Sequence, residues 1–150
     1  MKYAYYPGCS GHGTSVEYEA STRAVCNALN MDLVEIEDWN CCGSTPAHSE
    51  LSGALAARNL MQAAKTGADC VISPCPSCSS NLKMARYRMQ NPAFKTKVDE
   101  LLDAPTPANA EGGADLMETY SVLQAIVENV GVDFDDGRLS ISCTVRTIYG

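Results

Sequence analysis

Five of the chain's eight cysteines fall in one ordered pattern, C-x31-C-C-x32-C-x2-C, made by Cys9, Cys41, Cys42, Cys75 and Cys78. Each of its three groups lies in a turn-rich stretch directly after a segment that reads as a strand. Residues 2–6, KYAYY, are strand-like and run into PGCSGHG, where Pro7, Gly8, Gly11 and Gly13 are expected to exclude regular structure. Residues 32–37, DLVEIE, alternate as a strand does and break at DWNCCGSTP. The apolar run CVIS at 70–73 leaves through Ser73, Pro74, Cys75, Pro76 and Ser77. A fold that gathers these thiols must therefore bring three strand exits to one place.

Helical periodicity fills the intervals. From an N-cap at Thr14 or Ser15, Val16, Ala20, Ala24 and Ala28 recur at helical spacing to about Leu29. Over 48–66, Leu51, Ala54, Leu55, Met61 and Ala64 share one helical face that closes at Gly67. Residues 77–90 have the length and composition of a third helix, with prolines at its start. The order β-α-β-α-β-α predicts an α/β fold, a small parallel sheet with helices on its faces. The cysteine loops then lie at the carboxyl ends of the strands, where open parallel sheets bind ligands.

Residues 103–115, DAPTPANAEGGAD, hold almost no large apolar side chain and read as a flexible linker. After it, Leu116, Tyr120, Leu123, Val127 and Val130 are spaced as a helical stripe stopping at Gly131, and LSISCTVRTIYG over 139–150 reads as a last strand. The expected organisation is a cysteine-rich domain over 1–102, a linker over 103–115, and a helix and strand over 116–150. The net charge of −7 argues against nucleic acid and anionic membrane as partners, since both would be repelled. No run approaches the roughly 18 apolar residues of a membrane span, and no apolar leader precedes Cys9, so a soluble, cytoplasmic protein is expected.

Three chemistries compete for the five thiols. A structural zinc ion takes four tetrahedral ligands, leaving one cysteine surplus and a vicinal pair awkwardly used. A thiol-disulfide site would employ only Cys75 and Cys78 at a helix start. An iron-sulfur cluster accepts thiolates on several irons, so an adjacent pair and a fifth ligand become useful. Cys26, Cys70 and Cys143 lie in apolar-periodic segments and read as small buried hydrophobes. His12 and His48 are candidates to donate to cluster sulfur from just outside the ligand set, and Trp39 is a candidate lid.

At YPGCSGHGTSVEYEASTRAV, EDWNCCGSTPAHS and ISPCPSC the sequence resembles the cysteine-rich CCG domain of the HdrB family, the catalytic component of heterodisulfide reductase, closely over residues 1 to about 90 and more loosely over 116–150. The resemblance implies that Cys9, Cys41, Cys42, Cys75 and Cys78 bind a noncubane [4Fe-4S] cluster, which is itself the reactive group. The spacer from Cys42 to Cys75 is shorter than the family's by close to one helical turn of about 3.6 residues, which keeps the helix face. Family members carry two such motifs whose clusters together cleave a disulfide, in methanogenesis that of coenzyme M and coenzyme B. Their electrons come through an iron-sulfur subunit (C-like) and a flavin-containing subunit (A-like). This sequence holds the first motif alone and stops near where the second would begin. It is therefore expected to be the N-terminal half of such a catalytic subunit, truncated or split, and inactive by itself. The same resemblance admits an electron-relay subunit of a succinate, glycolate, lactate or glycerol-phosphate oxidoreductase. A zinc-stabilised interaction module is the non-enzyme alternative.

Overall fold

The first strand, β1 (Lys2–Tyr5), sends Tyr3 and Tyr5 to one side of the sheet and Ala4, followed by Tyr6, to the other, and all four side chains are buried. A strand buried on both faces must lie inside a sheet covered by helices on both sides. The computed structural model, which describes residues 1–47, 49–129, 132–135 and 138–141, shows that arrangement. Parallel strands β2 (Asp32–Glu35), β1, β3 (Cys70–Ser73) and β4 (Thr119–Ser121) pair in that order. The chain steps from β1 to β2 on one side and returns past β1 to β3 on the other, so the order reverses between β1 and β3. That reversal opens a crevice at the carboxyl ends of the two strands.

Six helices are described: α1 (Gly8–Gly11), α2 (Val16–Ala28), α3 (Ser49–Ala64), α4 (Pro76–Arg88), α5 (Pro92–Leu102) and α6 (Val122–Asn129). On one face Tyr3, Tyr5, Cys70 and Ile72 pack with Cys26 of α2 and with Val122, Ala125 and Ile126 of α6. On the other, Ala4, Tyr6 and Val71 meet α3, α4 and α5 through Ala57, Leu60, Leu82, Met89 and Val98. Cys26 and Cys70 are thus core residues, and burial raises both thiols above their ordinary value.

The elements depart from the sequence reading in three places. The glycine-rich turn around Cys9 does form a single helical turn, α1, because Gly8 takes the left-handed φ of 75° that lets the chain reverse from β1 into it. Helix α5 was not expected; its signal is Asn91-Pro92, an asparagine whose side chain accepts from the N–H groups of Ala93 and Phe94, followed by proline in the first turn. The stripe from Leu116 to Val130 is not one helix. Residues 119–121 pair with β3, and the strand exit sets the face that α6 turns inward, burying Val122, Ala125 and Ile126 while Leu123 is 72% exposed. Beyond α6 an antiparallel pair, β5 (Val132–Asp135) and β6 (Arg138–Ile141), takes in the start of the expected last strand. His48, Val130, Gly131, Cys143, Tyr149 and Gly150 lie outside the described residues.

The stretch 103–115 carries its own hydrogen bonds. Thr106 donates from Oγ1 to Asp99 Oδ1 at 2.8 Å, the Ala114 N–H reaches the Met89 carbonyl at 2.9 Å, and both residues are buried. A Cβ added at Gly113 would stand 2.8 Å from Gln90 Cα and 2.9 Å from its carbonyl oxygen, both backbone atoms. Gly113→Ala is therefore expected to cost about 1–3 kcal/mol in chemical denaturation, the range for overpacking. Limited proteolysis within 105–115 should be faster than in the parent protein. Unchanged stability and unchanged cleavage would show that this loop is not seated on the turn that follows α4.

Candidate metal centre

All five pattern cysteines sit at strand exits. Cys9 is in α1 after β1, Cys41 and Cys42 follow β2, and Cys75 and Cys78 follow β3, with Cys75 as N-cap of α4 and Cys78 in its first turn. Pro76 occupies the first helical position, where a missing N–H costs nothing, so the chain leaves β3 and enters α4 within two residues.

The sulfurs of Cys42 and Cys78 lie 3.4 Å apart, share a hydrogen bond and are both buried. Cys41 stands close enough to Cys42 and Cys9, and Cys75 close enough to Cys78, for each thiol to perturb its neighbour. Cys9 is exposed, and Cys41 and Cys75 are half-buried. The array therefore runs from a sealed pair to an open rim.

Sharing a proton divides the central pair. The hydrogen bond with Cys78, helped by the nearby N–H of Ser44, draws the Cys42 thiol below its ordinary value against its burial. The same hydrogen bond, with burial, drives Cys78 far up. One proton leaves the pair readily and the second does not. Cys41 gains a hydrogen bond from the N–H of Gly43, but burial and the neighbouring thiols Cys42 and Cys9 outweigh it and raise its value.

Tyr6 forms the floor. It is fully buried, and its hydroxyl, near enough to feel Cys78, Cys42, Cys41 and Cys9, is pushed up by burial and by those sulfurs. It donates to the Asn40 carbonyl at 2.8 Å, and its ring meets Trp39 edge-on at 5.6 Å. Trp39 in turn lies 5.3 Å from the His12 ring, whose Nε2 is 3.6 Å from Glu35. Of the residues expected around the ligands, the structure brings His12 and Trp39 together beside Tyr6, while His48 is not described. Tyr6 itself was missed; its signal was its position directly before the Pro-Gly-Cys turn, on the face of β1 opposite Tyr5.

The donor set is five soft sulfurs with no carboxylate or imidazole among them, which suits iron-sulfur or other thiophilic chemistry. A Cβ at Gly8 would come within 3.1 Å of Cys78 Sγ, so the backbone is drawn close to the sulfurs there. Ser73, two residues before Cys75, is buried on the Tyr6 face of the sheet, and its hydroxyl has no partner among the described residues. Among the described residues no group of three or more His, Cys, Asp or Glu side chains has the geometry to hold a single metal ion. Five thiols are one more than a single tetrahedral ion takes, whereas a cluster of several metal atoms can use them all.

The sequence matches the family model of the CCG cysteine-rich domain over residues 3–83. It is similar to a protein of Archaeoglobus profundus that is itself like the B component of heterodisulfide reductase, 33% identical over 107 residues, which covers 68% of this chain and 36% of that protein. It is also similar to an 8-methylmenaquinol:fumarate reductase membrane anchor subunit of Wolinella succinogenes, 30% identical over 132 residues, or 86% of this chain and 44% of that one. The chain thus spans less than half the length of either relative. None of the described helices is long and apolar enough to cross a membrane.

The gradient of exposure sets an order of reactivity for the metal-free, reduced protein. Alkylation by iodoacetamide, followed by peptide mass mapping over time, should label Cys9 first, then Cys41 and Cys75, and the buried Cys26, Cys42, Cys70 and Cys78 last. Early labelling of Cys26 would show that the α2 face opens more easily than the cysteine loops.

Proposed function

The chain belongs to the cysteine-rich CCG domain family, and from that membership we propose that its five thiols hold a [4Fe-4S] cluster of noncubane type serving reductive cleavage of a disulfide. The observation that carries this reading is the convergence of Cys9, Cys41, Cys42, Cys75 and Cys78 from three sequential strand exits, with the Cys42 and Cys78 sulfurs 3.4 Å apart. Cys9, Cys41, Cys42, Cys75 and Cys78 are the proposed ligands. When bound, the cluster would supply electrons one at a time. The balance is R–S–S–R′ + 2 e⁻ + 2 H⁺ → R–SH + R′–SH, with the coenzyme M–coenzyme B heterodisulfide as the proposed type of substrate. The electrons would come from an iron-sulfur partner subunit fed by a flavin-containing one, in the cytoplasm.

The chain's own residues hold and shield. Tyr6 closes the floor against water and keeps its proton, because burial and the surrounding sulfurs both oppose its ionisation. Trp39, wedged between Tyr6 and His12, covers one flank. Cys9 leaves the rim open on the side where a substrate or an electron donor could approach.

The similarity to a fumarate reductase subunit, which extends over more of the chain than the other match, favours a second reading as an electron-relay subunit. One experiment separates them. Anaerobically prepared protein should contain about four irons per chain. Cys41→Ala or Cys42→Ala should abolish or convert the cluster spectrum, and Cys26→Ala should leave it unchanged. Reduced viologen should then be oxidised by a coenzyme-type heterodisulfide only when a second five-cysteine unit is supplied. Full iron loading without disulfide turnover in that complete assembly would favour the relay, and a colourless protein with one zinc would defeat both.

A further inference from the structure

Three consecutive backbone carbonyls around the vicinal cysteines each accept a hydrogen bond from an asparagine side chain. Asn59 Nδ2 reaches the Asn40 carbonyl at 2.9 Å, Asn40 Nδ2 reaches that of Cys41 at 2.7 Å, and Asn81 Nδ2 reaches that of Cys42 at 2.6 Å. Asn59 lies in α3, is 1% exposed, and also accepts the Asn40 N–H through Oδ1 at 2.9 Å. Arg58 completes the hub by donating to Asn40 Oδ1 at 2.9 Å. Asn81 lies in α4, and its Oδ1 is 3.2 Å from the Ser52 hydroxyl.

In a trans peptide the C=O and the following N–H point in opposite directions. Drawing the Cys41 carbonyl toward Asn40 therefore turns the Cys42 N–H the other way, and drawing the Cys42 carbonyl toward Asn81 turns the Gly43 N–H the other way. Those are the N–H groups on the sulfur side: that of Gly43 lies near enough to the Cys41 thiol, and that of Cys42 near enough to its own, to favour the thiolate. Gly43 has φ 82°, and a Cβ there would stand 3.0 Å from Leu55 Cδ1 and 3.1 Å from Ser52 Cα. Glycine is required there, yet its freedom means that nothing in its own backbone fixes the peptide; the side chain of Asn81 does.

We propose that Asn40 and Asn81 are positioning residues that set the reduction potential of the bound cluster by aiming the N–H groups of Cys42 and Gly43 at the vicinal sulfurs, with Asn59 holding the Asn40 backbone in place. The inference rests on the iron-sulfur reading above. An N–H aimed at a ligand sulfur favours the electron-richer state, so its removal lowers the potential.

The test is a redox titration of anaerobically reconstituted protein, followed by its visible spectrum, with iron per chain measured alongside. Asn81→Leu removes the donor to the Cys42 carbonyl, Asn40→Leu removes the donor to the Cys41 carbonyl, and Asn81→Gln retains an amide. Thr22→Val alters a buried hydroxyl of α2 that bonds the Tyr18 carbonyl and serves as control. Asn81→Leu and Asn40→Leu should load iron as the parent does and titrate at a more negative midpoint. Asn81→Gln should recover toward the parent value, and Thr22→Val should match it. An iron-loaded Asn81→Leu at the parent potential overturns the proposal. Loss of iron from both Asn81→Leu and Asn40→Leu, with Thr22→Val intact, also overturns it, since the asparagines would then assemble the site without tuning it. An iron-free parent protein would remove the cluster reading itself.

Discussion

Cys42 comes from the exit of β2 and Cys78 from the first turn of α4, and their sulfurs meet 3.4 Å apart where neither is open to solvent. Polar or ionisable groups buried in this way need partners, since an unsatisfied one costs on the order of 1–3 kcal/mol. The pair finds them in each other and in the N–H groups of the Cys42–Ser44 backbone. That requirement explains much of the surrounding architecture. The backbone of Gly8 must pass close over Cys78, Tyr6 must fill the space below, and α4 must start within two residues of β3. Each condition is met only if β1 lies between β2 and β3, which the strand order supplies.

The parallel α/β layering and the convergence of the cysteine loops could be read from the sequence, because both depend on local patterns: apolar runs of strand length, helical periodicity and turn residues around each thiol. What could not be read depends on contacts distant in sequence. Asn59 and Asn81 stand in helical stretches where a single polar residue carries no periodic signal, yet they bond residues 19 and 39 positions away. The stripe from Leu116 to Val130 failed for a related reason. Its spacing is helical, but pairing of Thr119–Ser121 with β3 outweighs the local preference, and tertiary pairing routinely overrides propensity. Helix α5, by contrast, had a local signal in Asn91-Pro92.

A second polar system braces the opposite side of the sheet. Tyr5 donates to Glu19 at 2.5 Å, Arg23 bonds both Glu19 and Glu35, and Arg23 lies over the Tyr5 ring at 4.4 Å. These contacts tie α2 to β1 and β2 directly beneath the exits that carry Cys9 and Cys41. Glu19 Oε2 would lie 3.2 Å from a Cβ at Gly11, so the brace touches the Cys9 turn itself. Glu19 is buried, and burial of a carboxylate is tolerated because Tyr5 and Arg23 satisfy it.

The two systems support the cysteines unequally, and the inequality has a direction. Cys42 and Cys78 are locked between α3, α4 and the sheet by side-chain amides and by each other. Cys9 stands exposed on a single helical turn, and half-buried Cys75 lines a cavity of about 220 Å³ together with Ser10, Tyr18 and Glu19. A group held by all five thiols would therefore be fixed rigidly on its inner side and presented to solvent along the line from Cys9 to Cys75. Tyr6, Trp39 and the packed helices cover the inner side of such a group. Among the described residues that line the cavity, Glu19 is the one carboxylate, and its charge is already matched by Arg23. Shape and sulfur chemistry, more than attraction to a charged ligand, then decide what approaches this face.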